Sequence, residues 1–163
     1  MGFDVARLAG EYGPLIYLVL FAAFLFQVGF LVGPVLPGNP ILFATGMLTV
    51  SEKAPLNPLF CVGAIAVGAF LGNHVNYFQG RAAGPLARRG KFAGRIADAE
   101  KFFSEQGDRA VAVGSFIPFI RAFVPFVAGM TGMPLPRFSL ASLVGSIGWP
   151  ALGITIGSFM GRV

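Results

Sequence analysis

An all-α integral membrane fold is what this sequence predicts, and three features carry the prediction. Charge is absent between Glu11 and Glu52, from Ala54 to Gly80 and from Phe138 to Gly161. Each stretch exceeds the ~20 residues with which a helix crosses about 30 Å of hydrocarbon. Of the 163 residues, 55% are hydrophobic and 12% charged, against about 25% charged in soluble domains, and mean hydropathy is +0.75. Two further apolar stretches are interrupted by proline and glycine where a continuous helix would otherwise run. The expected architecture is one membrane domain over residues 1–163, with three spanning helices, two re-entrant hairpins in inverted repeat and one interfacial amphipathic helix.

The first span is expected over 14–33, opening on Pro14, since proline is tolerated at a helix start. A cleaved signal peptide is the competing reading of this block. Against it, Arg7 is offset by Asp4 and Glu11, the apolar run is too long, and no small-x-small site follows. Gly33-Pro34-Val35-Leu36-Pro37-Gly38-Asn39-Pro40 then places three prolines and two glycines in eight residues, yet apolar character continues to Val50. Irregular backbone survives at membrane depth only where protein or a water-filled cavity satisfies its amides, so 34–50 reads as a re-entrant hairpin.

A second span is expected over 59–78, where Ala64, Gly68 and Gly72 recur every four residues and let another helix approach closely. From 85 to 108 the polarity changes. Phe92, Ile96, Ala99 and Phe103 fall at helical spacing opposite Lys91, Arg95, Asp98, Lys101 and Glu105, which predicts an amphipathic helix in the interface or packed on the protein. Residues 110–133 are apolar again and interrupted by Pro118 and Pro125, a second hairpin. Its tail, Pro125 to Met130, echoes Pro40 to Met47 with a two-residue offset, and paired broken segments in two halves are the sign of an inverted-repeat transporter. The last span is expected over 138–161, with Gly153, Gly157 and Gly161 forming a row that packs within the chain or against another copy.

The net charge of +5 is concentrated. Arg81, Arg88, Arg89, Lys91, Arg95 and Lys101 share one connection, which the positive-inside bias places in the cytoplasm. A nucleic-acid surface would need a soluble basic face with reading elements, so nucleic acid is not an expected partner. Cys61 is the only cysteine, excluding an internal disulfide and a multi-cysteine metal site, and reads as a small buried hydrophobe.

Arg121, midway between Pro118 and Pro125, is the most informative residue. A guanidinium at mid-membrane costs roughly 2.5–3.5 kcal/mol on insertion scales. Its functional reading is an anion site for a phosphate or phospholipid headgroup, which a planar fork of donors suits. The structural reading is that it snorkels or satisfies hairpin carbonyls. Asn39 and Asn73 are neutral polar residues in apolar surroundings, able to donate to a phosphate or to freed carbonyls. His74, the only histidine, is a proton carrier or a packing residue. No Gly-x-Ser-x-Gly elbow or Walker-type loop is present, so neither an enzyme nor a cofactor is expected.

Several of these residues carry a family resemblance. Val35-Leu36-Pro37-Gly38-Asn39, Gly68 to Asn73 leading to Tyr77-Phe78-Gln79-Gly80-Arg81, and Phe116-Ile117-Pro118-Phe119-Ile120-Arg121 leading to Pro125 through Met130 resemble the DedA family, also described as the VTT or SNARE-associated domain. Arg137-Phe138 and Gly145-Ser146-Ile147-Gly148-Trp149 extend the likeness over about 33–161. The resemblance implies translocation of undecaprenyl phosphate or phospholipids in the bacterial inner membrane through two facing re-entrant hairpins, with homodimers as an assembly. It also implies Glu where this chain has Asn39, Asp where it has Asn73 and Arg where it has Ser115. Of four intramembrane charges only Arg121 is kept, and amides cannot exchange protons near neutral pH, so proton coupling through those positions is not expected.

The leading expectation is therefore a flippase or scramblase for a phosphate-bearing lipid, with Arg121 holding the headgroup and Asn39, Asn73 and Ser115 supplying neutral contacts. A small-ion carrier and a transport-inactive membrane scaffold are the alternatives.

Overall fold

The computed structural model describes residues 13–30, 38–51, 56–87, 89, 93–114, 116 and 120–162. These residues are helical or in short turns: α1 Gly13–Gly29, α2 Gly38–Thr49, α3 Pro58–Ala87, α4 Ala93–Gln106, α5 Asp108–Gly114, α6 Ile120–Met130 and α7 Leu135–Met160. Two of these helices, α3 and α7, are long and apolar enough to cross a membrane. At 17 residues α1 is apolar but shorter, about 25 Å at 1.5 Å per residue.

The two long helices form the centre, and two short helices each pack against the long helix of the other half: α2 on α7 and α6 on α3. Small residues permit this. A methyl on Gly46 would strike the backbone of Ile154 and Gly157, and one on Gly80 or Gly129 would strike Phe126 or Tyr77. The expected row on α3 is used by α1, where Gly68 meets Phe21 and Gly72 meets Gly29. The row on α7 packs within the chain, Gly153 and Gly157 seating Leu42 and Phe43 of α2. Leu20, Phe24, Leu42, Cys61, Ile65 and Ile154 form one buried cluster, so Cys61 is the apolar filler expected of it. Tyr77, Val111, Val124, Ala128 and Phe138 form another. The outward faces stay apolar as well, with Leu18, Phe26, Phe60, Leu140, Val144 and Phe159 all exposed. A helix that is apolar all round suits hydrocarbon, not water, as its solvent.

Several boundaries differ from expectation, and proline position explains most of them. Gly38, Asn39 and Pro40 open α2 instead of lying in the break before it. First-turn amides have no intrahelical acceptor, so Pro40 forfeits nothing there. Residues 31–37, where the break was expected, lie outside the described residues. The second span continues past Phe78 to Ala87 and takes in Pro85, which the reading assigned to the amphipathic helix. Near the helix end, Pro85 removes only the bond to the Arg81 carbonyl. At its start α3 is capped by Asn57, whose Oδ1 accepts from the Leu59 amide at 2.9 Å.

The amphipathic segment is α4, and Asp98, Lys101 and Glu105 on it are exposed as expected. The side chains of Ile96, Ala99 and Phe103, and residues 91 and 92, lie outside the described set. Residues 110–133 hold α5 and α6, and Pro125 lies inside α6 instead of ending it. Pro118 is outside the described residues. The C-terminal end of α6 is set by Gly132, at φ +76. Met133 N–H donates to the Ala128 carbonyl at 3.0 Å and Gly132 N–H to Gly129 at 3.1 Å, the paired bonds of a Schellman turn. The buried Tyr77 hydroxyl donates to the Met133 carbonyl, pinning the turn that sends the chain into α7.

Candidate functional site

The site begins with a defect in α6. Pro125 has no N–H for the Arg121 carbonyl, and a proline ring crowds the carbonyl four residues before it. The neighbouring Ala122 carbonyl accepts from a donor on another helix: Asn76 Nδ2 on α3 donates to it at 2.8 Å. The same Nδ2 lies 3.2 Å from the carbonyl of Val28 in the last turn of α1. Gln79 Nε2, one helical step further along α3, donates to the Gly29 carbonyl at 3.1 Å. The end of α1 at Gly29, earlier than the expected 33, thus has side-chain partners for carbonyls that a helix end leaves open.

Arg121, on this turn, lines a crevice between α1, α3 and α7. Phe24 and Val28 form one wall, Ile65, Ala69 and Asn73 a second, and Ser146, Trp149 and Pro150 a third, around a space of about 20 Å³. The Arg121 guanidinium carbon lies 5.1 Å from the centroid of the Trp149 ring, within cation–π range. No Asp or Glu occurs anywhere in α1, α2, α3, α6 or α7. The helices around Arg121 therefore have no carboxylate with which to neutralise it.

Asn73 lines the same crevice and is 9% exposed. Its Nδ2 donates to Ser142 Oγ at 2.9 Å and lies 3.2 Å from Ser146 Oγ, both on α7. Accepting from the amide leaves each seryl O–H free to donate. Asn39 is half-buried in the first turn of α2 and is not among the residues lining the crevice. Ser115 lies outside the described residues. Of the four expected site residues, Arg121 and Asn73 are thus brought together.

His74 faces a different set of groups. Its Nδ1 is 2.8 Å from the Phe70 carbonyl and its Nε2 2.8 Å from Ser139 Oγ. Its ring packs on Phe70 and Phe138, with centroids 4.4 and 5.4 Å away. A neutral ring that donates from Nδ1 to the carbonyl and accepts at Nε2 from the seryl hydroxyl satisfies both contacts. This is a helix-to-helix clasp between α3 and α7.

Sequence reasoning gave no site role to Asn76, Gln79, Ser142, Ser146 or Trp149, although Gln79, Ser146 and Trp149 lie in the motifs that carry the family resemblance. The signals were present: Asn73, Asn76 and Gln79 recur at three-residue spacing on one face of α3, and Ser139, Ser142 and Ser146 at spacings of three and four on α7. Two polar stripes on apolar helices are the pattern of interhelical hydrogen bonding.

Residues 36–159 match the family model of the VTT domain. The chain is 32% identical to Protein DedA of Escherichia coli over 98% of its own length and 75% of that protein's. It is 36% identical to an uncharacterized membrane protein of Mycobacterium tuberculosis over 90% of this chain and 70% of the other. A second membrane protein of that organism is 33% identical, over 80% of this chain and 60% of its own length. No solved structure matches the chain significantly.

Proposed function

The chain belongs to the VTT-domain family that includes Protein DedA of Escherichia coli, and from that membership we propose that it is a flippase or scramblase for a phosphate-bearing lipid. The observation that carries the reading is Arg121, lodged against Trp149 in a crevice whose helices contain no carboxylate. A guanidinium at membrane depth costs roughly 2.5–3.5 kcal/mol, of which cation–π contact offsets about 0.5–2 kcal/mol. The missing counter-charge comes from the ligand. A phosphate headgroup, such as that of undecaprenyl phosphate or a phospholipid, matches the planar fork of donors.

In this reading α1, α3 and α7 span the bacterial inner membrane. Helix α2 forms one re-entrant hairpin, and α5 with α6 forms the other. The crossed packing of α2 on α7 and α6 on α3 supports their relation as an inverted repeat around the crevice. Helix α4 lies in the cytoplasmic interface, and the basic connection over 81–101 faces the cytoplasm. The work is transport without bond chemistry, and the assembly is a homodimer.

One observation favours the scaffold alternative: Asn73 and His74 have protein partners for their polar atoms. The experiment that separates the two is a flip assay in reconstituted vesicles with a headgroup-labelled phospholipid. The unmodified chain accelerates exchange between leaflets and Arg121→Ala does not. Equal acceleration by both proteins would sink the Arg121 reading, and no acceleration by either would favour the scaffold.

A further inference from the structure

We propose that Trp149 Nε1–H is a second donor of the anion site, placed beside Arg121 to hold the same phosphate group. The inference rests on the anion-site reading of Arg121. Trp149 lines the crevice together with Arg121, Asn73 and Ser146. Its indole nitrogen is buried and, among the described residues, has no hydrogen-bond partner. A buried N–H left unpaired is unfavourable, and one on a residue that lines a ligand site is satisfied when the ligand brings an acceptor.

The indole is held in place. Arg121 covers its face at 5.1 Å, and the Phe116 ring meets it edge-on with centroids 6.5 Å apart. Phe116 is itself seated over Gly148, where an added methyl would lie 2.7 Å from the ring. Indole N–H only donates, as does guanidinium. The two together therefore select an acceptor-rich anion, and they leave a cationic group without a partner. Phosphate oxygens accept from both without either side chain changing protonation.

Trp149 is the only tryptophan, so the full chain labelled with 15N-tryptophan gives one indole resonance. In maltoside detergent, which carries no phosphate, the probes are dihexanoyl phosphatidic acid, dihexanoylglycerol and inorganic phosphate. Phosphatidic acid is expected to shift the indole N–H downfield and saturably, and dihexanoylglycerol to leave it in place. A matching shift with inorganic phosphate assigns recognition to the phosphate itself; a shift with phosphatidic acid alone assigns it to phosphate carried on a lipid. Trp149→Phe, which keeps a ring under Arg121 but removes the donor, is expected to bind phosphatidic acid about tenfold more weakly. If Arg121→Ala abolishes binding while the indole resonance of the unmodified chain stays still and Trp149→Phe binds normally, the Trp149 assignment is wrong and the anion site stands. If the unmodified chain binds no phosphate probe, both fall.

Discussion

Asn76 on α3 and Ala122 on α6 are joined by a hydrogen bond of 2.8 Å from the Asn76 amide to the Ala122 carbonyl, one residue from Arg121. That amide also reaches the last turn of α1 through Val28. Three helices thus meet on one fully buried side chain, and it holds the turn of α6 next to Arg121. Leucine at 76 keeps the branching of the side chain but has no donor, and the position is fully buried. Asn76→Leu is expected to lower stability by about 1–3 kcal/mol per carbonyl left unpaired. Thermal unfolding in detergent checks this, with Asn57→Leu at the exposed end of α3 as a milder comparison, about 1 kcal/mol for a lost cap.

The close approach of α3 and α6 makes a sharper test of packing. Gly80 meets Phe126 and Gly129 meets Tyr77 backbone to backbone, whereas nothing lies within 4 Å of a methyl added to Gly63. Gly80→Ala and Gly129→Ala are each expected to cost about 1–3 kcal/mol through forced backbone shifts. Gly63→Ala on the same long helix is expected to be neutral or to gain up to about 1 kcal/mol from helix propensity. A ranking of unfolding midpoints in which Gly63→Ala is the worst of the three would contradict the packing described.

Orientation follows from the charge asymmetry. In a Cys61→Ala background, a cysteine introduced at Arg89 is expected to react with a membrane-impermeant maleimide only from the cytoplasmic side. Labelling of intact cells from outside would invert the topology. Cys61 is buried in the packed cluster, so its own reaction is expected to be slow.

Amides at 39 and 73 predict transport that is indifferent to a proton gradient. Lipid movement by the unmodified chain is expected to change little when a pH gradient is imposed, and Asn39→Glu with Asn73→Asp to introduce sensitivity. A strong gradient response in the unmodified chain would move attention to His74, whose imidazole joins Phe70 and Ser139.

Most of the architecture was legible because its signals are long. Charge-free blocks gave α3 and α7, the polar change gave α4, and the glycine rows gave the faces that pack. Prolines were read too severely: Pro40, Pro85 and Pro125 all lie within helices. Pro40 and Pro85 sit in a first and a last turn, where little is lost, and beside Pro125 the next carbonyl, Ala122, accepts from a donor on another helix. That donor, Asn76, was invisible because its value depends on Ala122, 46 residues away. Arg121 stood out as a lone cation in apolar surroundings, but its partner Trp149 did not, since an aromatic in a span has many reasons to be there. Asn73 was found as a polar residue, and its two serines were missed because their pairing is set by how α3 lies on α7.

The measurement that tests the central claim most directly compares two labelled lipids of identical chains, one with a phosphate and one a diacylglycerol, across a series at position 121. In vesicles with the unmodified chain, the protein-dependent rate for the phosphate lipid is expected to fall more than tenfold in Arg121→Ala and to be partly kept in Arg121→Lys, which offers the charge as a point and not as a fork. Diacylglycerol exchange is expected to be the same with all three proteins. If the phosphate lipid moves equally fast with Arg, Lys and Ala at 121, or if both lipids lose rate together, Arg121 is not the group that recognises the headgroup.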